Sequence, residues 1–179
     1  MKNGIVKDMT LIALFAAVIS VASFISIPLG AVPITLQTFG IFSALMLLGG
    51  RRGTVSVAVY IALGAVGLPV FSGFTGGVGR LFDATGGFIL GFVAAALLYW
   101  LLTRVLGTSL AATVISTVAA HLALYAVGVS WFFFGYSDGV GFFSALAATL
   151  LPCLLPDAIK LFLAILVCEK IKKRLNKPL

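Results

Sequence analysis

Apolar residues in this chain fall into six runs, separated by short segments rich in glycine, proline and polar residues. The six runs cover residues 9–27, 39–48, 55–71, 88–102, 110–134 and 150–168. Most of them approach the roughly 20 apolar residues that a helix needs to cross the hydrocarbon core of a bilayer. The pattern therefore predicts an all-α integral membrane protein with six transmembrane helices, folded as one membrane-embedded domain over residues 1–179.

Composition supports a membrane protein and argues against a soluble one. Hydrophobic residues make up 61% of the chain, charged residues only 9%, and the mean hydropathy is +1.22. Soluble domains carry about 25% charged residues. The formal net charge of +7 does not indicate nucleic acid, because the basic residues lie at the ends of apolar runs instead of forming a patch with interleaved aromatic residues. The lipid bilayer is the expected surrounding.

The distribution of basic residues predicts the orientation of the chain. When the connecting segments are assigned alternately to the two sides, ten of the twelve Lys and Arg residues fall on the side that holds both termini, Arg80 falls on the other side, and Lys160 lies within a span. The ten are Lys2, Lys7, Arg51, Arg52, Arg104, Lys170, Lys172, Lys173, Arg174 and Lys177. Cytoplasmic segments of membrane proteins carry the excess of positive charge. We therefore expect a multi-pass plasma membrane protein with cytoplasmic N- and C-termini.

The last apolar run carries two charges where a membrane span should carry none. Asp157 and Lys160 are three residues apart, which places them on one face of a helix, and Pro152 and Pro156 are expected to interrupt the backbone just before them. A charge near the middle of a span costs at least about 2.5–3.5 kcal/mol on insertion scales, so such residues face a polar cavity, a ligand or each other. A binding site is the favoured interpretation, and an ion pair that only neutralises itself is the alternative.

Two further segments are predicted to lie on the same, outer side as Asp157. The segment 72–87 is rich in glycine, including Gly73, Gly76 and Gly77, which lets backbone approach a ligand closely, and its Arg80 could bind a carboxylate. The alternative is an ordinary loop in which Arg80 pairs with Asp83.

An uncharged polar segment after the first run completes the candidate site, with Thr35 and Gln37 as its candidate ligand contacts.

Nothing in the sequence indicates catalysis, a metal site or a bound cofactor. The chain has one histidine, His121, which we expect to be packed and neutral in the fifth span. No Ser/His/Asp or Cys/His arrangement and no phosphate-binding G-x-x-x-x-G-K-[ST] loop is present. The chain is therefore not expected to be an enzyme or to hydrolyse ATP itself.

Three segments, in this order within six spans, resemble the BioY family, the biotin-specific substrate-binding (S) components of energy-coupling factor (ECF) transporters. They are VPITLQT (residues 32–38), GFTGGVGRLFDATGGFILGF (73–92) and PCLLPDAIK (152–160). The resemblance covers nearly the whole chain. It implies the S-component fold, high-affinity capture of biotin at the outer face, and delivery inward together with a transmembrane coupling (T) subunit and two ABC ATPases.

The chemistry of biotin, which has a ureido ring and a terminal carboxylate, suggests roles for the charged residues. Asp157 would accept hydrogen bonds from the ureido N–H groups of biotin, Lys160 would donate to the ureido oxygen, and Arg80 would meet the carboxylate. The reverse arrangement, with Lys160 on the carboxylate, stays open.

Small residues on the first span form a further candidate surface. Ala13 and Ala17 match the AxxxA face with which the family contacts the coupling subunit, although packing within the bundle would also explain them.

The alternative function is a self-sufficient secondary carrier for a small carboxylate-bearing nutrient, in which Asp157 or Asp83 would carry a proton.

Overall fold

A computed structural model describes residues 2–28, 32–137, 139 and 141–175 as a bundle of α-helices. The helices are α1 (Lys2–Phe24), α2 (Gln37–Leu48), α3 (Gly50–Ala65), α4 (Gly86–Leu106), α5 (Leu110–Tyr136), α6 (Phe142–Thr149) and α7 (Leu151–Leu175). Two short strands, β1 (Ser26–Ile27) and β2 (Ile34–Thr35), pair antiparallel after α1, and a 3-10 helix covers Val78–Leu81. The all-α prediction is confirmed.

The lengths of the helices agree with membrane crossing for four of the six predicted spans. The segments Gly4–Phe24, Gly86–Leu106, Leu110–Tyr136 and Leu151–Arg174 are long and apolar enough to cross a bilayer. The helices α2 and α3 are shorter, with 12 and 16 residues. The eight-residue helix α6 was not predicted, and it lies between the fifth and sixth runs.

Glycine and proline residues shape α3 and α7. The third apolar run extends to residue 71, and α3 ends within it at Ala65, because Gly67 has a positive φ of 104° and Pro69 follows. The interruption that was expected at Pro152 and Pro156 does not occur, because α7 is continuous through both prolines. Pro152 is accommodated in the first turn of α7, where no N–H is needed. The chain bends before them, at Leu150 between α6 and α7.

Glycines allow α4 and α5 to pack closely along their length. A Cβ atom on Gly87 would lie 2.1 Å from the Cβ of Trp131, and one on Gly91 would lie 3.0 Å from the carbonyl oxygen of Leu124. Both distances are too short for a side chain, so the four-residue spacing of these glycines serves helix packing.

The two ends of the bundle differ in chemistry. At one end an ion pair of 2.9 Å joins Arg52 to Asp8, and Gly50 packs against Trp100, so the start of α1, the α2–α3 turn and the end of α4 lie together. At the other end Thr38, at the start of α2, contacts Asp157, near the start of α7. The helices α2 and α7 therefore run in the same direction, and the basic C-terminal part of α7 lies at the end that holds Arg52. Lys177 lies outside the described residues.

We expect Gly87→Ala to lower the midpoint of thermal unfolding in detergent by a few degrees. The added methyl group would meet the base of the Trp131 side chain, and overpacking of this kind costs about 1–3 kcal/mol. Gly135→Ala is the matched control, because Gly135 is exposed near the end of α5 and has open space where a Cβ would lie. A midpoint for Gly87→Ala equal to or above that of Gly135→Ala would show that α4 and α5 do not pack this closely.

Candidate ligand-binding site

The carboxylate of Asp157 is the centre of a hydrogen-bonded cluster formed by three helices. Its Oδ1 accepts hydrogen bonds from Lys160 Nζ at 2.8 Å and from Thr38 Oγ1 at 3.2 Å. Its Oδ2 accepts one from the Tyr125 hydroxyl at 2.7 Å. Thr38 belongs to α2, Tyr125 to α5, and the two charged residues to α7. The cluster therefore ties the start of α7 to the two helices beside it.

The charged pair is almost completely withdrawn from solvent. Asp157 is 6% exposed and Lys160 is 7% exposed. Removal of either partner of such a pair would leave an uncompensated charge, at a cost of about 3–5 kcal/mol. The ion pair between Asp157 and Lys160, which the sequence left as the alternative to a binding site, is therefore present. It does not exclude binding, because a cavity lies beside Asp157.

The cavity beside Asp157 is narrow and mixed in character. Its volume is about 70 Å³, which is room for several water molecules. Aromatic and aliphatic side chains form most of its wall, and polar groups are added by Asp157, Tyr125, Thr38, Gln37, Thr35 and Arg80. Lys160 is not among the lining residues. A wall of this kind suits a ligand that is largely apolar and has a few polar groups at fixed positions.

Two polar side chains at the end of β2 and the start of α2 are held in fixed orientations. Gln37 Nε2 donates to the hydroxyl of Tyr60 at 2.5 Å, and Tyr60 is completely buried. Thr35 Oγ1 donates to Gln37 Oε1 at 3.3 Å and accepts from the Gln37 backbone N–H at 3.2 Å. Two of the predicted site residues, Thr35 and Gln37, are therefore brought to the cavity together.

Arg80 lies where the cavity meets a second, outer groove. The outer groove has a volume of about 390 Å³ and is lined by Arg80, Gly73, Asp83 and residues of the segment around β1 and β2. Arg80 Nη1 forms an ion pair of 2.6 Å with Asp83 Oδ2, as the alternative interpretation of this loop proposed. Its buried Nε has no hydrogen-bond partner among the described residues, so the guanidinium keeps donor capacity for a ligand.

The three predicted glycines have different places in the loop. Gly73 lines the outer groove, whereas Gly76 and Gly77 line neither the groove nor the cavity. A Cβ on Gly76 would lie 2.2 Å from the carbonyl oxygen of Leu68, and the Gly77 N–H donates to Gly64 O at 2.7 Å. Gly76 and Gly77 therefore fasten the loop to the end of α3.

The loop is also attached to α1. Phe74 stacks on Phe24, with ring centroids 4.3 Å apart, and the hydroxyl of Ser23 donates to Val70 O at 2.5 Å. Residues of the same loop, Phe71 among them, line the cavity. One wall of the cavity is thus held by the last turn of α1.

The small residues of α1 divide between two faces. Ala16 is 1% exposed and packs in the core, whereas Ala13 and Ala17 are exposed. Packing within the bundle therefore does not account for Ala13 and Ala17.

Tyr125, a member of the cluster, and His121, which lies beside it, were not assigned to the site from the sequence. They are four residues apart on α5 and so share a face, and two polar aromatic residues with this spacing inside an apolar span were the available signal. His121 is packed as predicted, 6% exposed, with its Nε2 3.5 Å from Asp157 Oδ2.

The part of the chain that the structure describes contains no group of three His, Cys, Asp or Glu residues that could hold a metal ion.

Comparisons with known proteins give a consistent result. A model of the BioY family matches residues 1–177. A protein of Pyrococcus horikoshii named "probable biotin transporter BioY" is 35% identical over 173 residues, covering 93% of this chain and 96% of that protein. The "biotin transporter BioY" of Thermotoga maritima is 41% identical over 160 residues, covering 89% of this chain and 92% of that protein.

A solved structure agrees with the relatives. The crystal structure of the S-component for biotin from an ECF-type ABC transporter superposes with a TM-score of 0.87 at 28% identity, covering 97% of this chain and 94% of that one. The relatives are named as transporters and the matched structure as a transporter component, which confirms that this chain is not an enzyme. It has the S-component fold and belongs to the BioY family.

Proposed function

We propose that this chain is the high-affinity biotin-binding subunit of an ATP-driven ECF vitamin transporter in the plasma membrane. The observation that carries the proposal is the cavity that has the Asp157 cluster on one side and Arg80 at its outer limit. The names of its relatives and of the matched S-component support biotin as the ligand.

The chemistry of biotin matches the order of groups along the cavity. Its ureido ring has two N–H donors and one carbonyl acceptor, its thioether ring and chain are apolar, and it ends in a carboxylate. In our proposal a ureido N–H donates to Asp157, the apolar part lies against Phe71, Phe88 and Phe92, and the carboxylate meets Arg80. The cavity widens to admit the ligand, and the loop with Gly73, Gly76 and Gly77 covers it.

Lys160 enters this proposal mainly through Asp157. Its ammonium donates to Asp157 Oδ1, which keeps the carboxylate ionised and fixed inside the bundle. Direct donation to the ureido oxygen requires the ammonium to turn toward the cavity when biotin binds. Thr35 and Gln37 offer further polar contacts beside the ring.

The proposed topology has six membrane spans, with α2 and α3 as short ones, and both termini in the cytoplasm. It is supported by the position of the basic residues Lys7, Arg51, Arg52 and Arg104 at the end of the bundle opposite to Asp157. Biotin then enters from the outer face.

Release into the cell is proposed to require a T subunit and two ABC ATPases, which hydrolyse ATP, with no cofactor bound by this chain. The exposed residues Ala13 and Ala17 allow close approach by a helix of the T subunit.

We expect Asp157→Asn to weaken biotin binding about tenfold to a hundredfold, because a hydrogen bond to a charged acceptor contributes about 1.5–3 kcal/mol. Lys160→Met should weaken it as well, because Asp157 loses its partner. Glu169→Gln and Lys172→Met are matched controls, since these residues form a pair of the same spacing on α7, 3.0 Å apart and away from the cavity. Equilibrium binding to folded protein in detergent is the measurement. Wild-type affinity in both Asp157→Asn and Lys160→Met would remove the pair from the site.

We expect Ala13→Trp and Ala17→Trp to abolish co-purification with the coupling subunit and ATPases and to leave biotin binding by the isolated chain unchanged. Ala58→Trp is the control, because Ala58 is exposed on α3. Uptake into proteoliposomes should require ATP and the partner subunits. Uptake by the chain alone, driven by a pH gradient, would instead establish the secondary carrier.

Cysteine labelling tests the proposed topology. Val78→Cys, in the loop before α4, should react with a membrane-impermeant thiol reagent in intact cells, whereas Thr108→Cys, in the exposed α4–α5 connection, should react only after the membrane is permeabilised. The opposite pattern would place the termini outside.

A further inference from the structure

Gln37 is a cavity residue whose amide group is held from behind by a buried hydroxyl. Its Nε2 donates to the Tyr60 hydroxyl at 2.5 Å, and Thr35 Oγ1 donates to its Oε1 at 3.3 Å. Gln37 is 5% exposed and Tyr60 is completely buried. Gln37 and Thr35 line the cavity beside Asp157, whereas Tyr60 does not. The amide nitrogen is therefore turned away from the cavity, and the amide oxygen lies on the side of Thr35.

The hydroxyl of Tyr60 belongs to a chain of hydrogen bonds that ends at backbone carbonyl groups. Tyr60 forms a side-chain hydrogen bond with Ser23 of α1. The Ser23 hydroxyl lies 2.5 Å from Val70 O and 2.7 Å from Ser20 O. Because a carbonyl oxygen only accepts hydrogen bonds, the single hydrogen of Ser23 is directed to these carbonyls. The Ser23 oxygen then accepts from the Tyr60 hydroxyl, and the Tyr60 oxygen accepts from Gln37 Nε2.

The opposite orientation of the Gln37 amide would leave two buried oxygens facing each other without a hydrogen. If the amide oxygen pointed to Tyr60, the Tyr60 hydroxyl would donate to Gln37, and the Ser23 hydroxyl would still donate to the carbonyls. No hydrogen would remain between Tyr60 and Ser23, and buried polar groups without a partner are destabilising. The carbonyls at the end of the chain thus determine which way the Gln37 amide points.

Two acceptors consequently face the cavity from neighbouring positions. Asp157 Oδ2 accepts one hydrogen bond, from Tyr125, and has room for a second. Gln37 Oε1 likewise accepts one, from Thr35, and has room for a second. Gln37 directly precedes Thr38, whose side chain donates to Asp157. A cyclic urea has two N–H donors, one on either side of its carbonyl group, and needs an acceptor for each when it is withdrawn from water.

We propose that Tyr60 is a positioning residue, which orients the Gln37 amide so that its oxygen accepts the second ureido N–H of biotin. The inference rests on the proposed function, in which Asp157 accepts the first. Tyr60 lies behind Gln37 and acts on the ligand only through it. Selectivity for a ring with two N–H donors follows, because a ring that lacks either donor leaves one buried acceptor without a partner.

The first experiment needs only the wild-type chain in detergent and measures equilibrium binding of three ligands. They are biotin and two lactam analogues, in each of which CH2 replaces one of the two ureido N–H groups. We expect each analogue to bind about fivefold to a hundredfold more weakly than biotin, because one acceptor is left without a donor in each case. An analogue that binds as tightly as biotin would overturn the inference, whether or not any variant folds.

The second experiment compares Gln37→Leu and Tyr60→Phe. We expect Gln37→Leu to weaken biotin binding about fivefold to a hundredfold and Tyr60→Phe about threefold to tenfold, since the freed amide turns and presents its nitrogen. The analogue that lacks the N–H facing Gln37 should bind wild type and both variants equally, whereas the other analogue should lose affinity as biotin does. Tyr60→Phe should have no further effect on biotin binding when it is added to Gln37→Leu.

Tyr99→Phe is the matched control, because Tyr99 is a buried tyrosine that does not line the cavity. It should bind all three ligands as wild type does. A purely structural role for Tyr60 would weaken binding of biotin and of both analogues alike, and that result would overturn the inference. Biotin binding by Tyr60→Phe equal to that of wild type, or additive losses in the double variant, would overturn it as well. Absence of biotin binding by wild type would instead contradict the proposed function.

Discussion

The structure depends on keeping one ionised carboxylate inside a membrane-embedded bundle. An acid within an apolar span is expensive unless it is paired and hydrogen-bonded. Asp157 meets this requirement through Lys160, Thr38 and Tyr125, which reach it from three helices. Because the donors come from separate elements, the cluster also fixes where α2, α5 and α7 lie relative to each other. The hydrogen-bonded cluster that stabilises Asp157 thus also forms part of the cavity wall.

Helix α1, which donates no hydrogen bond to Asp157, holds another wall of the cavity. The loop after α3 is attached to α1 by the stack of Phe74 on Phe24 and by the hydrogen bond from Ser23 to Val70 O. The same helix exposes Ala13 and Ala17, the proposed contact with the T subunit. In the proposed complex, a movement of α1 would therefore act directly on the loop that is proposed to cover the ligand. This attachment is the physical route by which the proposed partner subunits would open the cavity.

The sequence predicted those parts of the molecule that the bilayer constrains. Long apolar runs with charges at their ends predicted the helices, and the cost of an intramembrane charge predicted the importance of Asp157. The sequence could not separate an ion pair from a binding site, because both require an acid and an amine on one helix face. The structure contains the pair and a cavity beside it. Tyr125 and the anchoring role of Gly76 and Gly77 were missed because they depend on contacts between distant segments. The helix α6 was missed because no glycine and no charged residue separates it from α7 in the sequence.

A crystal structure of the chain with biotin bound tests the central claim most directly. The measurement is the distance from the ureido nitrogens of biotin to Asp157 Oδ2. The ring is expected within hydrogen-bond distance of this oxygen, with the carboxylate toward Arg80. Biotin bound elsewhere, with Asp157 still enclosed by its present partners and no ligand atom near it, would show that the buried acid serves only to hold the helices together.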